Sequence, residues 1–423
     1  MHHFGMKNGV MHAEDVDLIR LAAAVGTPFY CYSWATLTRH YEVFKAAFEG
    51  LATLVCYAVK ANSNQAVLTS LARLGAGMDV VSEGELRRAR AAGVTADRIT
   101  FSGVGKTKEE MAYALDEGIL CFNVESEPEL RALSALAISR GQTARIALRV
   151  NPDIDAKTHA KIATGKSENK FGIPISSARD VYREAAALPG LEVAGLDMHI
   201  GSQITTLEPF DNAFALVADF LPTLREDGHR IEHIDLGGGL GIPYQEGDDP
   251  ETFHPLRYAE VVKRRLGNLG CRLIFEPGRL IVGNAGILVT RVLYVKTGEA
   301  KRFVIVDAAM NDLVRPTLYE AYHEILPVRA PAPDRPKIIA DVVGPVCETG
   351  DYLALARELA EPHEGDLLAI MSAGAYGAVQ AGTYNSRLLV PEVLVKGSDH
   401  AVIRPRGTYA DLIGLDKIPA WLA

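Results

Sequence analysis

Four features of this chain carry side chains able to do chemistry, and each closes a short apolar run. Lys60 ends Tyr-Ala-Val-Lys, just before Ala61 and Asn62. Apolar neighbours weaken the charged state of a lysine and make its amine a nucleophile toward an aldehyde. His199 stands in Asp-Met-His-Ile-Gly-Ser-Gln (197–203), where Ser202 offers a hydroxyl to an anion. The run Gly237-Gly238-Gly239 lets backbone N–H groups approach a phosphate closely. Glu276 opens Glu-Pro-Gly-Arg (276–279). Its carboxylate suits a protonated ring nitrogen, and Arg279 suits bidentate contact with phosphate or carboxylate. Each feature also has a plainer reading: a surface lysine, a core histidine, a tight strand-to-helix turn, a structural ion pair.

The elements around them decide between these readings. Eight apolar runs punctuate the chain: Leu54–Lys60, Met78–Val81, Ile99–Ser102, Leu120–Val124, Ile146–Val150, Val193–His199, Ile231–Leu236 and Leu273–Glu276. Amphipathic segments separate most of them, among them Gln65–Leu74, Gly84–Ala92, Lys108–Glu117, Pro128–Arg140 and Asp211–Glu226. Alternating strands and helices imply parallel pairing, and unbroken apolar strands suit a sheet covered on both faces. Eight units predict an α/β fold, a (β/α)8 TIM-like barrel; a doubly wound open sheet is the alternative. In such a barrel the ends of the first, sixth, seventh and eighth strands lie on one rim, where barrels build active sites. Lys, His, a glycine-rich turn, Glu and Arg on one rim are the parts needed to hold pyridoxal 5′-phosphate.

Beyond Gly283 the texture changes. Ile287–Val295, Arg302–Asp307, Ile338–Val343, Leu367–Ser372, Glu392–Lys396 and Ala401–Arg404 follow with few helical segments between them. They predict a C-terminal, mainly antiparallel β-domain. Phe29–Tyr32 is a short strand suited to join it, Trp34–Phe48 a helix leading into the barrel, and the proline-rich 330–336 a loop. The expected division is 1–33 as a segment contributing to the β-domain, 34–282 as the barrel and 283–423 as the β-domain.

Composition narrows the classes. With 48% hydrophobic and 23% charged residues the chain can build full cores, and a net charge of −9 argues against a nucleic-acid surface. No apolar run approaches bilayer length, and Met-His-His-Phe-Gly-Met-Lys has no hydrophobic signal region, so a soluble cytoplasmic protein is expected. Five widely spaced cysteines without C-x-x-C argue against a disulfide framework or a zinc site, and no metal is expected. Ser-Gly-Val-Gly-Lys-Thr (102–107) and Ala-Thr-Gly-Lys-Ser (163–167) are near misses for nucleotide phosphate loops: Thr100 and Ala160 stand where the first glycine is required.

The motifs together resemble the diaminopimelate decarboxylase family, within the fold-type III, alanine-racemase-like pyridoxal-phosphate enzymes. The resemblance runs from Gly26-Thr-Pro-Phe-Tyr to Tyr384-Asn385. It is carried by Tyr57–Asn62, Asp197–Gln203, Asp235–Leu240 and Glu276–Arg279, and by the more specific Asp307–Tyr319, Gly344–Asp351 and Gly374–Gly377. Glu83 stands where glycine is expected, at a helix start that tolerates an acid.

The resemblance implies decarboxylation of meso-2,6-diaminopimelate to L-lysine and CO2, the last step of lysine biosynthesis. It implies that Lys60 bears the cofactor as a Schiff base and that His199 stacks on its ring. Ser202, Gly238, Gly239, Glu276, Pro277, Gly278 and Arg279 would hold the phosphate and pyridine nitrogen. Arg279, Arg315 and Tyr319 would engage substrate carboxylate, and Glu348 the distal ammonium. Tyr376 would touch cofactor and substrate, and Cys347 would return a proton to the α-carbon. It also implies a homodimer whose partner supplies the Cys347–Glu348 loop. From the residues alone, Cys347 reads first as a buried thiol and Arg315, before Pro316, as a surface ion pair; the resemblance reverses both readings. The rivals are ornithine or arginine decarboxylation, amino-acid racemisation, and a catalytically silent relative.

Overall fold

The computed structural model describes residues 2–166, 168–245, 247–248 and 251–422. They form two compact units: Thr38–Pro243 with Asp248–Ile281, and Met1–Leu37 with Tyr244–Gly247 and Val282–Ala423.

The first unit is a barrel. Its strands are Thr53–Ala58, Gly77–Val80, Ile99–Phe101, Cys121–Val124, Ala144–Asn151, Leu191–Asp197, His233–Asp235 and Arg272–Phe275. All pair in parallel, and the sheet closes where Leu273 lies opposite Thr53. Each of the eight apolar runs overlaps one of these strands, and closure removes the open-sheet alternative. A two-residue strand, Ile173–Pro174, extends the fifth strand's edge.

Local sequence starts the outer helices where it should. Asn64, Ser82, Thr107 and Ser126 each cap a helix with a side-chain oxygen, and Thr107 forms a reciprocal capping box with Glu110. Glu83 is the first residue of Glu83–Ala91 and pairs with Arg87 one turn on, so the acid sits on the favourable end of the helix. Phe44, Phe48, Phe210, Phe214, Tyr258 and Phe275 stack into one buried aromatic layer, with Phe48 and Phe275 at 4.2 Å. Burying one such ring is worth roughly 1.5–3 kcal/mol, so this layer fixes three outer helices on the last strand.

The second unit is a mainly antiparallel sheet. Its spine is Gly286–Thr297, paired antiparallel with Phe29–Ser33, Arg302–Val306 and Leu367–Ile370. Two joins are parallel: Arg302–Val306 with Lys337–Val343, and Phe29–Ser33 with Glu392–Lys396. The N-terminal run Phe29–Ser33 thus pairs within the later sheet. Several strands of this unit lie outside the apolar runs: Phe4–Lys7, Val10–Ala13 and Val16–Asp17, which form a small sheet of their own, Ile325–Pro327, and the longest, Tyr352–Ala360, paired with Lys337–Val343. Its sequence, Tyr-Leu-Ala-Leu-Ala-Arg-Glu-Leu-Ala, is rich in helix formers, and cross-strand packing overrides that preference. Two register shifts and a positive φ at Ala356 mark the misfit.

Candidate active site

The barrel's carboxyl rim gathers the first set of candidate residues. Lys60 lies in the one-turn helix Val59–Ala61 directly after the first strand. Its Nζ donates to Asp79 Oδ2 at 2.5 Å, from the end of the second strand. The Asp79 side chain is fully buried and that of Lys60 is 36% exposed, so the pair is shielded from water on its carboxylate side. His199 follows the sixth strand, and its Nδ1 accepts from Gly238 N–H at 3.2 Å. Burial, then the Arg149 and Lys60 charges, hold its pKa well below the usual imidazole value. The ring is therefore neutral, with its remaining proton on Nε2.

The triple glycine follows the seventh strand and makes close passages between neighbouring strand ends. A Cβ on Gly238 would fall 2.3 Å from Glu276 O, and one on Gly239, at φ +110°, 2.5 Å from Gly201 O. Only glycine allows the backbone to lie this low. Glu276 follows the eighth strand, buried, with Oε1 accepting from the Thr100 hydroxyl at 3.0 Å. Pro277 and Gly278 turn the chain into the short helix Arg279–Val282, with Ala58 N–H bonded to Pro277 O. Arg279 Nη2 donates to Ser202 Oγ at 3.0 Å. The Ser202 loop is itself stapled: Ser202 N–H bonds to Ile162 O, and the Thr158 hydroxyl to Ser202 O.

Sequence reasoning passed over the layer beneath this rim. Asp79, Asp197 and Asp235 are buried there together with Glu276. Asp235 Oδ1 accepts from Gly237 N–H at 2.9 Å, and its Oδ2 from Asn123 Nδ2 at 3.4 Å. Burial foremost pushes Asp235 up to about 6. Burial and then the charges of Asp235 and Asp79 push Glu276 well above the carboxylate range. Burial and then the Asp235 charge do the same to Asp197. Arg149 pairs with Glu125 at 2.9 Å and bonds His199 O, fixing that loop from below. The available signal was a charged residue inside an apolar strand, as in Gly-Met-Asp-Val (77–80) and Leu-Arg-Val (148–150).

The phosphate-loop near misses resolve differently. Lys106 is a buried staple whose Nζ donates to Gly103 O, Asn123 O and Glu129 Oε1. In 163–167, Ala163 bridges to Gly201, and Ser167 lies outside the described residues.

The remaining candidates belong to the second unit. Arg315 opens the short helix Arg315–Tyr319 and is buried, so it is not a surface ion pair. Its Nη1 donates to Tyr244 OH at 3.1 Å, and its guanidinium lies 5.2 Å from that ring's centre. Tyr319 OH accepts from Gln380 Nε2 at 3.4 Å. Cys347 is exposed rather than a buried thiol. Its N–H bonds to Asn385 Oδ1 at 2.8 Å. Asp351 accepts from the N–H groups of Val346 and Met310, both at 2.6 Å, and ties down the turn carrying Cys347 and Glu348. Glu348 bonds Tyr384, whose hydroxyl is pushed above its usual pKa by that carboxylate. Tyr376 is half-buried at φ +56°, in the left-handed region. Tyr244, Asp351, Tyr384 and Asn385 were not singled out in the sequence as partners.

The rim fits a pyridoxal group on its own terms. It has a primary amine, a flat neutral imidazole, a glycine passage that no side chain can fill, and an anion-binding Arg–Ser pair. A carboxyl layer lies beneath, in which Asp79 Oδ1 and Asp197 Oδ1 have no hydrogen-bond partner among the described residues.

The comparisons agree with this class. The family model described as pyridoxal-dependent decarboxylase, pyridoxal binding domain, matches residues 34–283. The chain is 50% identical to the diaminopimelate decarboxylase of Zymomonas mobilis, over 99% of each chain. It is 52% identical to that of Pseudomonas fluorescens, again over 99% of each. The crystal structure of diaminopimelate decarboxylase from Helicobacter pylori complexed with L-lysine is similar at a TM-score of 0.90. That match has 42% identity and covers 94% of this chain and 99% of that one. The chain belongs to the pyridoxal-dependent decarboxylases and, within them, to the diaminopimelate decarboxylase family. It is accordingly a carboxy-lyase that uses pyridoxal 5′-phosphate. No described helix is long and apolar enough to cross a membrane.

Proposed function

We propose the following division of labour for the conversion of meso-2,6-diaminopimelate to L-lysine and CO2. The cofactor, when bound, supplies a carbonyl that condenses with a primary amine and a ring that accepts the electron pair left by the departing carboxylate. Lys60 offers its Nζ as the chain's own amine, with Asp79 holding that nitrogen in place. His199 presents a neutral face for stacking, kept in one tautomer by Gly238 N–H. Glu276 holds a proton at the ring-nitrogen end. Arg279, Ser202 and the backbone of Gly238 and Gly239 bind the phosphate.

The second unit reads the substrate. Arg315 and Tyr319, with Arg279, bind carboxylate, Glu348 binds the distal ammonium, and Tyr376 contacts cofactor and substrate. Cys347 returns a proton to the α-carbon. Diaminopimelate carries a second amino-acid head, which ornithine lacks in part, so a buried arginine is left uncompensated by the wrong substrate. A homodimer, with the Cys347–Glu348 loop serving the partner's site, and a cytoplasmic setting complete the proposal.

The observation that supports this best is the rim constellation: Lys60, His199, the glycine run and Glu276 on four strand ends of one barrel. The test is a product assay with cofactor and meso-diaminopimelate, run against ornithine and arginine. Lysine from diaminopimelate alone is the expected result. Equal turnover of ornithine would overturn the reading of the distal head.

A further inference from the structure

Tyr244–Gly247 lies in the connection after the seventh barrel strand, yet it groups with the sheet unit, as Arg315 does. Tyr244 joins two side chains there. Its hydroxyl oxygen accepts from Arg315 Nη1 at 3.1 Å. The Arg315 guanidinium carbon lies 5.2 Å from the centre of its ring, within the range of a cation–ring attraction. His323 meets the same ring edge-on, with centroids 5.4 Å apart and planes at 85°.

His323 is a fixed wall for this ring. It is fully buried, and its Nδ1 lies 2.9 Å from Met371 O. A carbonyl only accepts, so Nδ1 carries the proton, and the imidazole cannot turn over without losing that bond. The His323 carbonyl in turn accepts from Arg357 Nη1 at 2.8 Å. Arg315 starts from a weaker mount. The helix that bears it, Arg315–Tyr319, is five residues long and opens without a side-chain cap. A long side chain gives up rotamer freedom when it must meet a carboxylate, and that loss weakens binding. Bidentate contact also demands one plane for the guanidinium. A hydrogen bond at one terminal nitrogen and a ring beside the group set its reach and its plane before the substrate arrives.

We propose that Tyr244 is a positioning residue for the reaction and acts through Arg315: it holds the guanidinium in the plane and at the reach where a substrate carboxylate docks. The proposal rests on the reading of Arg315 given above. The hydroxyl aims one terminal nitrogen, the ring limits the tilt, and His323 stops the ring from giving way. Selection follows from this. A ligand with a carboxylate gains from the arrangement, and a diamine of the same length without one gains nothing.

The test uses holoenzyme and follows KM and kcat separately. Tyr244→Phe removes the hydroxyl and keeps the ring. KM for meso-diaminopimelate should rise about tenfold, the lower end of what a hydrogen bond to a charged group contributes, with kcat within about twofold. Inhibition by pentane-1,5-diamine, which has both amines and no carboxylate, should not change, whereas general damage to the site would weaken it. An unchanged KM, or equal losses for the two ligands, would overturn the role of Tyr244. In an Arg315→Ala background the same substitution should cost less than about twofold. An undiminished loss there would show that Tyr244 acts without Arg315. Arg315→Ala alone tests the reading beneath: wild-type kcat/KM for diaminopimelate in that variant removes Arg315 from the substrate, and the proposal falls with it. If Arg315→Ala is impaired and Tyr244→Phe is not, only Tyr244 is dismissed. Should Tyr244→Phe fail to fold, 15N spectra of arginine-labelled wild-type holoenzyme decide the matter. Separate Arg315 Nη signals without substrate, assigned by their loss in Arg315→Lys, support a held guanidinium; averaged signals overturn it.

Discussion

The two units carry their candidate residues in contrasting ways. In the barrel the central ones, Lys60, His199, Gly237 and Glu276, stand one or two residues past strand ends, with Lys60 tied to Asp79 and His199 to Gly238. In the β-sheet unit most of them sit on turns. Cys347 and Glu348 are exposed, and Tyr376 takes a left-handed backbone. A closed barrel fixes positions to within the tolerance of a strand register, which suits a group bound once and kept. Turns tied by a few hydrogen bonds adapt more readily, which suits a substrate that enters and leaves at every turnover. Arg315 is the exception in the second unit, buried and stacked on Tyr244.

If that contrast holds, substitution of Lys60 abolishes cofactor retention and substitution of Arg315 or Cys347 spares it. The largest effect is expected for Lys60→Ala: kcat/KM for lysine release falls by ~10³-fold or more, and cofactor absorbance is lost on dialysis. Retained absorbance with activity within tenfold of wild type would break the comparison at its strongest point. Arg315→Ala should lower kcat/KM for diaminopimelate by about 10²- to 10³-fold with cofactor content unchanged, since it removes one partner of a buried charged contact. A loss of cofactor in that variant would blur the division. Cys347→Ser should lower kcat by roughly 10²-fold with little change in KM, which steady-state assays resolve.

The barrel was legible because a strand buried on both faces must be apolar throughout. Each run end therefore marked a rim position, and Lys60, His199, Gly237 and Glu276 could be placed from the text. The layer beneath was not legible. Asp79 and Arg149 interrupt apolar runs, but their meaning depends on the strand beside them, and that neighbour is set by closure. Tyr352–Ala360 failed for the opposite reason: its residues favour a helix, and only pairing with Lys337–Val343 makes it a strand. Tyr244 lies far in sequence from Arg315, so no spacing rule links them.

The smallest expected effect sharpens the comparison through stability. Asp312 is a buried acid of the sheet unit, pushed up to about 7, mainly by burial. Its folded form holds a proton that the unfolded chain releases near pH ~4, so its contribution to stability is greatest below that value. That contribution falls as pH rises toward about 7 and then levels. Asp312→Asn should remove this slope. Urea midpoints at about pH 5 and about pH 8 should then differ less in the variant than in the wild type. An unchanged difference would show that Asp312 titrates normally.

The sheet unit joins Phe29–Ser33 to a strand about 250 residues later in the chain. During synthesis the early strand leaves the ribosome long before its partner exists. At ordinary elongation rates the wait is on the order of tens of seconds. Through that interval Phe-Tyr-Cys-Tyr-Ser is an unpaired, wholly apolar-to-polar edge open to other nascent chains. The barrel, whose strands arrive consecutively, can close meanwhile and bring the two ends of its segment together, so the late pairing becomes a short search rather than a long one. A barrel that folds slowly would therefore show itself first as aggregation of the other unit.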